Sequence, residues 1–443
     1  MEEKLYLLSF KVSGIKNLEK SIELDFYKKT IDKQFDPKNY RIKAIYGENG
    51  SGKTAIVVGM DVLKSIILDS NYLGDSKNQK YLQAMANKIT KKIDLESNFI
   101  YYTDSDNRIY NYEASLGLNA IGLFEIEKEV LKIRFNRTKS KEITVYECYK
   151  GEIKTINIDN DEIRERAIRE SLNLLNKQSF AINCLLNSSE IFMDDIKNSF
   201  RMMMFDLYFF AAKVNVCIAN EDDPDLYLQK KELLESNDPN LFIDKVSRIV
   251  SSVGRYANEN EKMIAKELYE KYELKIKKME RFIRLFKRDL KSIDIDKTEV
   301  EGFYVCKLLM NYGDFRVDTV FESTGIAKLI KLFDYLSAAA NGEIVFIDEM
   351  DANINDVYLY KIIEFFIDYG AGQLCFTTHN TSPMAILKKN KKSIAFLSND
   401  NNLVEWKTNG NFSPERLYKQ GLIEYLPFNI EPEDFVGILG EWI

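Results

Sequence analysis

The stretch that decides the fold is RIKAIYGENGSGKTAIVVGMDVLKSIIL, residues 41–68. RIKAIY at 41–46 suits a short strand, and it runs straight into a glycine-rich loop. Gly47, Glu48, Asn49, Gly50, Ser51, Gly52, Lys53 and Thr54 match G-x-x-x-x-G-K-[ST]. Glycines let successive N–H groups turn inward around phosphate oxygens, and a helix starting at Lys53 adds a favourable dipole. Lys53 is expected to reach the β- and γ-phosphates and Thr54 to hold Mg²⁺ through its hydroxyl. A surface glycine turn could show the same letters. The strand before the loop and the helix over 53–68 after it supply the context that such a turn lacks.

Far downstream, Ile344-Val345-Phe346-Ile347-Asp348-Glu349 reads as an apolar strand ending in two acids, as a central parallel strand does. Asp348 is expected to hold the Mg²⁺ shell and Glu349 to polarise the attacking water. Alone, such a strand could merely end in a charged turn; beside a phosphate loop the acids acquire a task. Lys53 and Asp348 lie 295 positions apart, a gap that suits a split ATPase head with insertions. One strand later comes Thr377-Thr378-His379-Asn380. The chain's single histidine could be a packing residue, but its position marks it as a donor to the γ-phosphate. Upstream, Glu322-Ser323-Thr324-Gly325 opens a helix. Ser323 is a natural N-cap. Ser323 and Gly325 also fit a signature that meets the phosphate bound by another subunit, and both readings hold together.

The flanking pattern fills in the frame. Residues 5–26 alternate as two strands with a turn at Gly14 to Asn17, and 98–156 read as an antiparallel meander. Residues 302–321 form a hairpin turning near Tyr312-Gly313-Asp314, 325–340 and 355–368 are helices, and 374–378 is a strand. Between about 160 and 292 the texture is helical, with loops at 220–225 and 236–240. Residues 258–291 give the longest helical pattern. Its segment 261–288 carries ten Lys or Arg against five Glu. An amphipathic helix with a solvated charged face accounts for that; a surface for nucleic acid or an acidic partner is the sharper alternative. Asp294 and Asp296 read as a charged turn at a helix end.

Composition excludes several classes. The 443 residues are 45% hydrophobic and 30% charged, with net charge −7, which argues against nucleic-acid binding by the whole surface. The first residues lack the features of a signal peptide. Met202 to Ala219 is the most apolar run, but Asp206 and Lys213 interrupt it, so it reads as a buried helix and not a membrane span. Five scattered cysteines without a CxxC suggest reduced, buried thiols in a cytoplasmic protein. One histidine leaves little room for a His-based zinc site.

The motifs occur in the order of ABC-type heads. LLSFKVSGIKNLEKSIELDF resembles the first strands of SMC, RecF and OLD-like ATPases, and GENGSGKT, ESTGIAKL, IVFIDEMDANI and TTHN resemble that group's loops. The tail Arg416-Leu417-Tyr418-Lys419-Gln420-Gly421 is similar to that of single-chain bacterial ATPases near the OLD family. The resemblance covers 1–70 and 300–443 well and 98–156 loosely. It implies an α/β fold: an ABC-type P-loop ATPase head with an antiparallel β subdomain and a large helical insertion. Residues 1–156 would be the N-terminal half, 157–300 the insertion and 301–443 the C-terminal half. It implies ATP and Mg²⁺ as cofactors, nucleotide binding at 47–54, Mg²⁺ on Thr54 and Asp348, catalysis by Glu349, sensing by His379, and contact in trans through Ser323 and Gly325. Two departures stand out. Thr324 replaces a glycine of the signature, and Asn355 lies where SMC heads carry an aspartate. No glutamine loop is assigned; Gln79 and Gln83 sit on a polar helix.

OLD proteins carry a TOPRIM nuclease, and only 64 residues follow His379, too few for a domain of about a hundred. Stand-alone chains of this kind resemble the ATPase subunits of PARIS-type anti-phage defence systems. The reading is therefore an ATP-hydrolysing sensor or scaffold that closes as a dimer or higher oligomer. It acts through a separately encoded effector, a nuclease, in response to nucleic acid or a phage trigger, with no membrane. A RecF- or SMC-like ATPase that clamps DNA in repair or maintenance is the alternative, and a transporter ATPase ranks third.

Overall fold

The computed structural model describes residues 4–31, 35–103, 107–135, 140–171, 174–187, 199–218, 261–300, 302–407 and 412–426. The strands are β1 (Lys4–Ser13), β2 (Ile22–Asp25), β3 (Ile42–Gly47), β4 (Lys92–Tyr102), β5 (Asn107–Leu118), β6 (Phe124–Phe135), β7 (Ile143–Tyr149), β8 (Glu152–Ile156), β9 (Val214–Cys217), β10 (Lys262–Ala265), β11 (Ser292–Val300), β12 (Phe303–Asn311), β13 (Arg316–Asp318), β14 (Ile344–Ile347), β15 (Gln373–Thr377), β16 (Ile394–Leu397) and β17 (Leu403–Glu405). The helices are α1 (Lys53–Leu68), α2 (Ser76–Met85), α3 (Asp161–Ser171), α4 (Phe180–Asn187), α5 (Ser199–Lys213), α6 (Tyr269–Arg284), α7 (Thr324–Ala340), α8 (Asp356–Tyr369), α9 (Met384–Leu387) and α10 (Pro414–Lys419).

Three sheets organise the fold. The first is antiparallel, in the order β2-β1-β4-β5-β6-β7-β8. The second runs β17-β16-β3-β15-β14-β9, parallel throughout except for β17. The third is β10-β12-β11, with β13 on β12. The parallel sheet is apolar on both faces, as buried parallel sheets are. Period-two alternation splits its residues between two cores. Ile45, Ile344 and Phe346 face the core shared with α1 and the first sheet. Ala44, Tyr46, Val345 and Ile347 face the core built with α6, α7 and α8. The C-terminal ends of β3, β14 and β15 therefore emerge side by side, where α/β sheets place their sites.

The first two sheets are joined by a side chain that imitates a strand. The β1–β4 register shifts between Leu7 and Ser9. At that point the Gln373 amide oxygen accepts from the Leu7 N–H (2.6 Å), and its NH₂ donates to the Leu7 carbonyl (2.9 Å). Both groups lie in the core, where an unpaired amide would be costly.

Several sequence expectations change. The helix expected over 258–291 occupies Tyr269–Arg284; Lys262–Ala265 is a strand paired with β12. The buried helix expected from Met202 ends at Lys213, and Val214–Cys217 becomes the edge strand β9 on β14. An apolar run fits either element, and here parallel pairing decides. So residues 157–300 are not wholly helical. Asp294 and Asp296 lie within β11, not a turn; Asp294 accepts from Asn311 and pairs with Arg316. The basic segment's Lys275 is buried against Asp334 at 2.7 Å. The acidic loops at 220–225 and 236–240 lie outside the described residues. All five cysteines are buried and outside any disulfide, and among the described residues no helix is long and apolar enough to cross a membrane.

Candidate active site

β3 delivers the chain into the loop, and α1 leaves it. Gly52 caps α1 at φ 105°, a conformation that favours glycine. No side chain among the described residues caps this helix, which leaves its first N–H groups to be met by a ligand. Lys53 is buried. Its ammonium donates to the carbonyls of Gly47 and Glu48, each at 2.9 Å. Burial pushes its pKa down, and the charges of Asp348, Glu349 and Asp351 oppose the shift. The Ser51 hydroxyl is buried with no partner among the described residues. Helix-end donors, a buried ammonium and an orphaned hydroxyl make a built anion cradle.

An open cleft of about 180 Å³ gathers the pieces. Residues 49–55, Asp348, Glu349, Thr377 and His379 line it, together with Lys16 and Asn17. Asp348 is 4% exposed. Its Oδ1 accepts from the Thr377 hydroxyl at 2.7 Å, and its backbone N–H donates to Cys217 of β9 at 2.8 Å. Thr54 stands across the same cleft. A hydroxyl and a carboxylate are hard oxygen donors of the kind Mg²⁺ selects, so the residues present fit that ion. Glu349 sits at φ 48°, unusual for a non-glycine residue, and its N–H donates to Thr377 Oγ1 at 2.8 Å. Thr377 thereby holds both acids.

His379 follows β15 and is exposed toward the cleft. Partial desolvation of its ring and then the Lys53 charge pull its pKa below the ordinary histidine value, against the three nearby carboxylates. At neutral pH the imidazole is therefore mainly neutral, able to donate from one nitrogen.

Ser323 and Gly325 do not line this cleft. Ser323 caps α7, accepting from the Ile326 N–H at 3.5 Å. Gly325 has a reason within its own chain: a Cβ there would stand 2.7 Å from the Asn353 carbonyl. Asn355 caps α8 through the Val357 N–H. Gln79 is spent on the backbone of Leu73 and Phe124, which accounts for its presence on α2.

Sequence reasoning missed four site residues. Lys16, at φ 49° in the β1–β2 turn, and Asn17 approach the loop from a different sheet. Thr377 and Asp351 carry no role that the sequence alone assigns. The IKNL turn, the DEMDANI stretch and the TTHN quartet contain these residues, but no spacing rule points from them to the phosphate loop.

No family model and no curated protein matches the chain. Among solved structures, it is similar to an SmcHead bound to the C-winged helix domain of ScpA. That match has 13% identity and TM-score 0.40, covering 91% of this chain and 98% of the other. A second is the Smc head domain with an extended coiled coil bound to the C-terminal domain of ScpA, derived from Pyrococcus furiosus. It has 14% identity and TM-score 0.38, covering 91% of this chain and 96% of the other.

Proposed function

We propose that this chain binds ATP with Mg²⁺ in the cleft and hydrolyses it. The observation that carries the reading is the convergence, at the ends of three neighbouring strands, of the phosphate loop, Asp348 with Glu349, and His379. Lys53 and the α1 N-terminus hold the phosphates. Thr54 and Asp348 hold Mg²⁺, which when bound neutralises charge on the phosphate oxygens. The Glu349 carboxylate, exposed at the rim, orients water for attack. His379 donates to the γ-phosphate from a ring nitrogen.

Glu349 and His379 are exposed at one side of this cleft, where water weakens every electrostatic contact. A second copy bringing Ser323 and Gly325 over the nucleotide would exclude that water and strengthen the contacts. Hydrolysis by a closed dimer can hold and release something but cannot itself cut nucleic acid. From the resemblance of the motifs, the reading continues to an anti-phage sensor or scaffold acting through a separately encoded effector, a nuclease.

Calorimetry of ATP binding with phosphate-release kinetics tests the enzyme reading. Lys53→Ala should lose binding, and Glu349→Gln should bind but turn over at least tenfold more slowly. Unchanged affinity in the first or near-normal turnover in the second refutes the site. Co-purification with the product of a neighbouring gene, with and without ATP, tests the effector; coupling requires different affinity for the two nucleotide states. Full protection of cells by this chain alone, or nucleic-acid cleavage by it, would refute that part.

A further inference from the structure

The acidic loop and the histidine loop are bound to each other by one carboxylate. Asp351 lies three residues after Asp348, in the turn between β14 and α8. Its Oδ2 accepts from two successive backbone amides, His379 N–H at 3.2 Å and Asn380 N–H at 3.1 Å. Its Oδ1 is buried without a partner among the described residues, so the carboxylate's bonding is committed to those two amides. Bonds from neutral donors to an ionised acceptor are stronger than neutral ones, and two donors fix an orientation where one would leave a swivel. The next turn repeats the theme: Asn380 Nδ2 donates to Asp356 Oδ1 at 2.7 Å, and Ser382 Oγ donates to Asp356 Oδ2 at 3.3 Å.

We propose that Asp351 is the positioning residue of His379: it anchors the histidine's backbone so that the exposed ring is aimed into the cleft beside Glu349. The histidine has little else to hold it. Its ring is exposed, and β15 ends at Thr377, two residues earlier. The 378–382 loop has other ties: Thr378 N–H donates to the Ile45 carbonyl at 3.2 Å, Asn380 N–H also donates to Thr378 Oγ1 at 3.0 Å, and Thr381 Oγ1 donates to Glu415 at 3.4 Å. Among the described residues, however, only Asp351 accepts from the His379 N–H, so without that carboxylate the ring's position relative to Lys53 and Glu349 becomes loose. The proposal rests on the ATPase reading, because aim matters only if His379 acts on bound nucleotide.

Displacement of a positioned group by about 1 Å costs on the order of a hundredfold in rate, so Asp351→Ala should lower kcat by about ten- to a hundredfold. The loss should fall on kcat far more than on KM. The decisive measurement is the pair of backgrounds. In His379→Ala the group being aimed is gone, so adding Asp351→Ala should lower kcat by less than about twofold further. Two residues acting as a unit behave this way, whereas independent damage multiplies. Asp351→Asn keeps an acceptor oxygen and should recover most of the activity; if Asp351→Ala does not fold, Asp351→Asn is measured in both backgrounds, and its smaller loss should vanish without His379. The single histidine gives a second readout. Its ring resonances should shift on addition of a non-hydrolysable ATP analogue in the parent, and shift less in Asp351→Ala. Equal losses of kcat with and without His379 overturn the proposal. So does an unchanged ring shift in the variant. If instead the parent chain hydrolyses no ATP, or Lys53→Ala and His379→Ala both retain normal turnover, the reading of this cleft as the ATPase site has failed, and that outcome is distinct from failure of the anchor.

Discussion

Thr377→Val is the sharpest perturbation of the acidic pair. Thr377 is fully buried, and valine has nearly its shape. The substitution removes one hydroxyl that does two things: it donates to Asp348 Oδ1 at 2.7 Å and accepts the Glu349 N–H at 2.8 Å. Each group left without its partner costs about 1–3 kcal/mol, so the two together cost roughly 2–6 kcal/mol. Glu349 adds a second effect. At φ 48° it is held in a region that costs a non-glycine residue about 1 kcal/mol or more. Once its N–H is released, that strain drives the backbone back toward negative φ and swings the carboxylate from its place. The expected result is a lower thermal midpoint and a fall in kcat of about a hundredfold, with KM for ATP within threefold, because the phosphate loop is untouched. Thr377→Ser is the control: it keeps the hydroxyl and loses only a methyl. Differential scanning fluorimetry and phosphate-release kinetics on both variants check this. If Thr377→Val turns over as fast as Thr377→Ser, the hydroxyl does not place Glu349 and the reasoning is wrong.

Gly325→Ala would put a methyl 2.7 Å from the Asn353 carbonyl; ATP binding should survive and hydrolysis should fall at least tenfold, as calorimetry and turnover assays will read. Ser323→Arg should bind ATP but not hydrolyse it, and mixing it with Lys53→Ala should restore part of the activity by rebuilding one composite site per heterodimer; no recovery on mixing counts against closure in trans. NMR titration of the one histidine should give a midpoint below the ordinary value of about 6.5. Partial desolvation and the Lys53 ammonium both disfavour the imidazolium there, so Lys53→Ala should move that midpoint up; a downward move contradicts the assigned cause.

The sequence was most readable where a local rule governs. The helix over 53–68 appears with those bounds because Gly52 can adopt a positive φ and the apolar residues behind it recur at helical spacing. The hairpin at 303–318 turns where Gly313 permits it. Legibility fails where geometry depends on distant partners. VNVC at 214–217 reads as more of the apolar helix before it, and only its pairing with β14 makes it a strand. The Gln373 contact with Leu7 spans 366 positions, and the Thr377 contacts with the acids span 28 and 29. No periodicity encodes such pairs. Lys16 entered no motif, yet the turn between the first two strands brings it to the same cleft as Lys53.

The distant contacts at the acidic pair and the histidine share one short turn, residues 348–355. Asp348 and Glu349 meet the hydroxyl of Thr377, and Asp351 meets the amides of His379 and Asn380. Asn353, at φ 62°, offers its carbonyl to the flank of Gly325, and Asn355 begins α8. Acid placement, histidine placement and the seat of α7 thus all draw on these eight consecutive residues. Close-packed contacts of this kind do not yield independently; a shift at one is passed to its neighbours. A change in where Glu349 or His379 rests must therefore be felt at the start of α7, which is the segment proposed to meet a second copy. If a second copy closes there as proposed, that gives a physical route from the state of the nucleotide to the strength of closure, and it runs through a turn whose sequence, DEMDANIN, announces only its first two acids.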